Sequence, residues 1–232
     1  ITNAVNVDWE DITHDASSIY IGDMGNNSGN RTDLKIYKID KTAYLNSENI
    51  SAESISFSYS DQTDFTPNLN NTAWDAEALV SFDTNNLMLF TKNWVNGTTN
   101  GYLIPKMAGI YALNPLATSL DSGGLITGGT FNPETEKLYL LGYTQILQPF
   151  IWASENFSNN DIFSGTNTQT MLSSLGQEQA EAITFASPQR YLITSESFNI
   201  NAGSLTFSDN AKLMAFSTSD VILSSEEKIA ET

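Results

Sequence analysis

Four stretches of this chain share one pattern, and that recurrence limits the fold more than any other feature. Each is a short strand, a tight turn and a second, more apolar strand. They run Glu10-Asp11-Ile12-Thr13 to Ser18–Asp23, Glu77-Ala78-Leu79-Val80 to Leu87–Lys92, Thr127-Gly128-Gly129-Thr130-Phe131 to Lys137–Gly142, and Glu181-Ala182-Ile183-Thr184-Phe185 to Arg190–Ser195. The residues between them suit turns: His14-Asp15-Ala16-Ser17, Asp83-Thr84-Asn85-Asn86, Asn132-Pro133-Glu134-Thr135 and Ser187-Pro188-Gln189. The units open at residues 10, 77, 127 and 181, so they lie 67, 50 and 54 residues apart. A period near 50 fits one four-stranded propeller blade, and no long helical stretch is present.

Further alternating segments supply outer strands. They are Leu34–Ile39, Ser54–Tyr59, Gly109–Leu113, Pro149–Ala153 and Lys212–Ser217, each with the period of two expected of a half-buried strand. Residues 176–182 read as a short helical start leading into a strand. Asp61–Ala73 and Asn156–Gln169, rich in Asn, Ser, Thr and Asp, read as surface loops. The expectation is therefore one all-β domain over residues 1–232. It is a β-propeller of four-stranded antiparallel blades, with units starting near 8, 74, 125 and 179. The blade count is four to five. Either the opening strand Ile1–Val7 pairs with the last unit and closes the ring, or a further blade lies upstream.

Propeller geometry predicts a site. The start of an innermost strand and the end of the next strand meet at one face. Glu10 is thereby placed near Asp23, Glu77 near Lys92 and Glu181 near Glu196, with all three glutamates directed at one axis. The third unit carries Thr127 instead, and its Gly128 and Gly129 allow close backbone approach. Carboxylates with Asn and carbonyl oxygens suit a hard cation, so Glu10, Asp23, Asn26, Asp75, Glu77, Glu181 and Glu196 are the candidate calcium ligands. Arg31, Lys92, Asn93, Trp94 and Ser195 are candidate ligand-binding groups, the two cations serving to clamp an anion. The competing readings are that these glutamates only cap backbone donors of the next blade, and that the Asn-Gly loop after Asp23 only makes turns. Trp9, Trp74, Trp94 and Trp152 read as packing between blades.

Composition removes whole classes of chemistry. With no cysteine, disulfides, thiolate catalysis and Cys-ligated zinc are excluded. One histidine, His14, read as a surface residue, excludes multi-His metal sites and most His-based triads. A net charge of −17 disfavours nucleic acid and anionic lipid, and no run of about 20 apolar residues is present to cross a membrane. The N-terminus, Ile1-Thr2-Asn3-Ala4, lacks a basic and apolar leader. It reads as following a removed leader or as a segment of a longer chain.

The runs Val7–Thr13 and Ile19–Arg31, with Trp74–Leu79, Leu89–Trp94 and Gln179–Ile183, resemble secreted propeller-like proteins of flavobacteria and related Bacteroidetes. Such proteins often precede a sorting domain for type IX secretion. A remoter resemblance is to the SdiA-regulated and phytase-like propellers, in which acidic mouth residues bind calcium. The resemblance implies an extracellular or cell-surface protein attached to further domains.

Three functions are weighed. The first is a calcium-binding module for an extracellular ligand, glycan or protein, and not an enzyme. The second is a metal-dependent propeller hydrolase of esters, lactones or phosphoesters, in which Asp23 or Glu196 activates water. The third is a purely structural domain of a surface protein.

Overall fold

The structure, a computed structural model, describes residues 1–202 and 205–223. It is all-β, with 51% strand and 5% helix. The elements are β1 (Trp9–His14), β2 (Ser18–Asp23), β3 (Lys35–Asp40), the helix α1 (Lys41–Asn46) and β4 (Glu53–Tyr59), then β5 (Ala76–Ser81), β6 (Asn86–Thr91), β7 (Thr98–Thr99), β8 (Gly101–Pro105), β9 (Gly109–Leu113) and β10 (Leu120–Asp121). They continue with β11 (Leu125–Asn132), β12 (Lys137–Tyr143), β13 (Pro149–Glu155), β14 (Thr166–Met171), β15 (Gln179–Ser187), β16 (Arg190–Glu196), β17 (Phe198–Ala202), β18 (Leu205–Asp209) and β19 (Lys212–Ser217). Four principal sheets result, ordered β1-β2-β3-β4-β9, β5-β6-β8, β11-β12-β13-β14 and β15-β16-β19.

The hairpins form where the side chains dictate. Asp15 Oδ1 accepts from the backbone N–H of Ser17 and Ser18 at 2.9 and 2.8 Å, which closes the β1–β2 turn. Asp83 Oδ1 accepts from Asn85 and Asn86, both at 2.7 Å, and Asn132 Oδ1 accepts from Glu134 at 3.0 Å. A short acceptor thus replaces a missing backbone partner at the same place in three units.

Burial then stacks the sheets in sequence order. Tyr20, Ile36, Ile55 and Phe57 of the first sheet pack on Leu79, Leu87, Leu89 and Tyr102 of the second. The other face of the second, with Val80, Met88 and Phe90, packs on Ile126, Leu138, Leu140 and Phe150 of the third. Tyr139, Leu141 and Ile151 of the third pack on Ile183, Tyr191 and Ile193 of the fourth. Each fully buried side chain contributes about 1.5–3 kcal/mol, so these three interfaces carry the stability. The leading strands β1, β5, β11 and β15 pack side by side in that order. They are joined by side chains instead of a continuous ladder. Asp11 Oδ2 accepts from Leu79 N at 2.8 Å, and Thr13 Oγ1 accepts from Ser81 N at 3.2 Å. Thr127 Oγ1 donates to the Ala180 carbonyl at 2.5 Å. Gly128 permits this approach, because a Cβ there would stand 2.6 Å from the Glu181 carbonyl oxygen.

Several expectations are corrected. Residues 1–7 form no strand. They lie along their own first sheet, where the Asn3 amide accepts from Ala52 N and donates to Ala52 O, each at 2.9 Å, and Thr2 N donates to Ile50 O at 2.8 Å. A side-chain amide reproduces a strand pair there, and the polar Thr-Asn pair has no alternating apolar face to bury. Among the described residues the expected four-stranded blade is met only by the third sheet. Gly109–Leu113 leaves its own unit and pairs in parallel with β4 of the first sheet, because Ser60 and Leu113 continue that ladder. Asn156–Gln169 is only partly a loop. Ile162 and Phe163 are buried in a 3₁₀ turn, and Thr166 opens an edge strand whose polar composition reflects its exposure. The helical start at residue 176 lies instead at Ser173–Leu175 and is ended by Gly176 at φ 79°. The β17–β18 hairpin was not foreseen.

Candidate functional site

The four unit-opening residues share a backbone device. Trp9 pairs with Asp23 and Asp11 with Gly22, which leaves Glu10 as the extra residue of a bulge. The same break isolates Glu77 between Ala76 and Ala78, Thr127 between Ile126 and Gly128, and Glu181 between Ala180 and Ala182. A bulge turns its side chain out of the alternating pattern of the strand. Four such turns at one end of four adjacent strands bring together residues 67, 50 and 54 positions apart.

Lys92, from the residue after β6, is the cation at this end. It is buried, and its Nζ donates to both Glu77 oxygens at 2.9 and 2.8 Å. It also lies 4.9 Å from the Trp94 ring centroid and 5.7 Å from that of Tyr143. Glu10 and Glu181 stand near it but form no ion pair among the described residues. Burial, then Asp8 and Asp75, push the Glu10 carboxyl up to about 8, with Lys92 pulling the other way. Burial pushes Glu181 up to about 7, with Lys92 opposing and Glu196 adding to the rise. Glu77 is raised well above the carboxylate range, chiefly by burial, although Lys92 opposes that rise. Perturbed carboxyls gathered in one place mark a candidate site.

Asp75, Asn26 and Asp23 form a second network, hydrogen-bonded except at one Asp23 oxygen. Asp75 is fully buried. Its Oδ1 accepts from Asn26 N at 2.5 Å and its Oδ2 from Trp94 Nε1 at 2.7 Å. The Asn26 side chain donates to the Trp74 carbonyl at 3.0 Å and accepts from Arg31 N at 2.9 Å. Asp23 Oδ1 accepts from Asp8 N at 2.9 Å and from Arg31 Nη2 at 3.1 Å, while its Oδ2 is buried without a partner. Arg31 also donates to the Gly25 carbonyl at 2.9 Å and to Asp33 at 3.0 Å, so it staples its own loop. Asn93 holds the following turn, accepting from Val95 N at 3.0 Å and donating to Thr98 Oγ1 at 3.0 Å. Ser195 is buried and donates to Glu178 Oε2 at 2.9 Å. Glu196 is exposed at the rim, 3.4 Å from Gln179 Nε2.

Sequence reasoning missed three members. Asp8 sits beside Glu10, and both carboxylates close over Gly25, where any Cβ would collide with them. The repeated Asp-x-Glu of Asp8-Trp9-Glu10 and Asp75-Ala76-Glu77 was the signal. Tyr143 ends β12 against Lys92. Glu178 is fully buried and forms an ion pair with Lys212, and no pattern in the sequence announces it. Among the described residues no group of three His, Cys, Asp or Glu side chains stands arranged to hold a metal ion. No helix among them is long and apolar enough to cross a membrane. No protein-family model matches the chain, and no curated protein matches it.

Proposed function

We propose that this chain is a propeller-type extracellular binding module whose acidic mouth takes a cation, calcium being the ion its oxygen chemistry suits. The radial reading is supported by three face-to-face interfaces in sequence order and by leading strands packed in the same order. The observation that carries the site is that Glu10 and Glu181, from the first and fourth sheets, form no ion pair among the described residues although they stand beside a lysine already held by Glu77. Asn26, Asp75 and Glu77 are engaged internally, so Asp8, Glu10, Glu181 and the rim Glu196, with the unpartnered Oδ2 of Asp23, are the groups that would meet the ion. Binding would draw these side chains together, and water or backbone carbonyls would complete the shell. The extracellular setting rests on the sequence resemblance, with which the acidic composition is compatible.

The test is calorimetric titration with calcium chloride at constant ionic strength, because any salt relieves repulsion in a chain of net charge −17. Saturable heat and a rise in Tm are expected, both lost in Glu10→Gln and Glu181→Gln. An absence of heat together with an unmoved Tm overturns the reading.

A second reading has one observation in its favour. A carboxyl raised to about 8, as Glu10 is, holds a proton near neutrality and suits general-acid work on an ester, lactone or phosphoester. Turnover of such substrates that disappears in Glu10→Gln would favour it over the binding module.

A further inference from the structure

The end of the leading strands opposite the acidic mouth opens into a cavity of about 890 Å³ lined by all four of them. His14 lies four positions beyond Glu10 along β1, so the two ends stand roughly 13 Å apart. The chemistry changes over that distance. Ile12, Phe82, Phe131, Ile183 and Phe185 supply an apolar wall from four sheets, with the Phe82 and Phe131 rings 5.0 Å apart. The same cavity is lined by Lys41, Lys106 and the chain's single histidine, His14.

The rim charges are unequal in what they leave free. The Asp15 carboxylate is taken up by Ser17 N, Ser18 N, the Tyr20 hydroxyl and Lys106, and Asp83 Oδ1 is taken up by Asn85 N and Asn86 N. Lys106 is saturated by Ser81 Oγ at 2.8 Å, the Asp83 carbonyl at 2.7 Å and Asp15 at 3.1 Å. Lys41 differs. Its Nζ donates to the Asp15 carbonyl and lies 3.0 Å from His14 Nδ1, and it forms no ion pair among the described residues. An ammonium without a carboxylate, at the edge of an aromatic cavity in a strongly acidic protein, is complementary to an anion.

We infer that this cavity binds a small amphipathic anion, an aromatic or aliphatic carboxylate or sulfonate. Its apolar body lies against Phe82, Phe131 and Phe185, and its charge meets Lys41. The volume lies within the range of about 300–1,000 Å³ usual for small-molecule sites, and an apolar wall with few convergent polar groups is their usual make-up. This site is independent of the cation mouth.

The test uses two fluorescent probes on the intact protein: the anionic 1-anilinonaphthalene-8-sulfonate and the neutral N-phenyl-1-naphthylamine. Saturable one-site binding is expected, with the anion preferred. Lys41→Glu should weaken the sulfonate by at least about fivefold and leave the neutral probe unchanged. Thr184→Trp, an exposed position that projects bulk into the cavity without disturbing a buried side chain, should weaken both. Leu45→Gln, an uncharged change in the neighbouring cavity beside α1, should change neither. Equal affinity for the two probes, or a sulfonate affinity indifferent to Lys41→Glu, overturns the anion preference. Binding indifferent to Thr184→Trp, or lost in Leu45→Gln, overturns the site.

Discussion

Lys92 Nζ donates to both carboxylate oxygens of Glu77, at 2.9 and 2.8 Å, in a place where both side chains are more than nine-tenths buried. The pair ties the end of one strand to the bulge of its neighbour in the second sheet. It also fixes an ammonium near three other carboxylates, those of Glu10, Asp75 and Glu181. Stability and ligand chemistry therefore share this point.

Removing one partner should be far worse than removing both. Glu77→Gln leaves a buried ammonium without its counterion and should cost about 3–5 kcal/mol, while Glu77→Gln combined with Lys92→Met should cost less than the sum of the single changes. Urea unfolding of the three variants measures this, and additive losses would show that the pair is not coupled.

Stability should fall as pH rises from about 5 to 8. The Glu10 carboxyl at about 8 and Glu181 at about 7 both lie above the ordinary value of 4.5, so in that window the folded protein keeps protons the unfolded chain has released. Below it the trend reverses, since Asp15, Asp33 and Asp220 are lowered and lose their stabilisation as they protonate. Melting temperatures at fixed ionic strength should peak near pH 5, and Glu10→Gln should flatten the alkaline slope. A Tm that climbs from pH 5 to 8 would contradict this.

The junction between the third and fourth sheets depends on two small residues. Thr127→Val removes the donor to the Ala180 carbonyl and should cost about 1–2 kcal/mol. Gly128→Ala places a methyl group 2.6 Å from the Glu181 carbonyl oxygen, a backbone atom that cannot swing aside, and should cost about 1–3 kcal/mol. Because Glu181 adjoins that contact, Gly128→Ala should also weaken calcium binding, which Thr127→Val should leave within about twofold. Chemical unfolding and calorimetry on both variants decide it.

Trp94 joins the mouth to the network beneath it, its Nε1 donating to Asp75 at 2.7 Å and its ring lying 4.9 Å from Lys92 Nζ. Trp94→Phe leaves a buried carboxylate oxygen without its partner and should cost about 1–3 kcal/mol. It should also reduce any change in tryptophan emission on adding calcium, Trp9 beside Glu10 supplying the remainder, and an unreduced signal would place the ion away from Trp94.

Much of the strand pattern was legible in the chain. Gly109–Leu113 and Lys212–Ser217 are strands at the expected limits, and the Asx-type turns at Asp15, Asp83 and Asn132 close hairpins where expected. These are local matters, decided by alternation and by side chains that bond their own backbone. The edge strand Thr166–Met171 was read as loop because an exposed edge needs no apolar face. The parallel docking of Gly109–Leu113 onto Glu53–Tyr59 was invisible because nothing in a strand's alternation says which neighbour it will pair with.

By itself the sequence determined the all-β class, the recurrence of the units and the residue type that opens each one, since all of these follow from short-range periodicity and composition. Only the tertiary structure decided that Glu77 is bound to Lys92 while Glu10 and Glu181 form no ion pair among the described residues, that Asn26 and one oxygen of Asp23 serve their own loop, and that the opposite end holds an apolar cavity whose Lys41 has no carboxylate partner among the described residues. The physical reason is that bulges aim side chains and sheet stacking sets which ones meet, and both depend on contacts between segments about fifty residues apart.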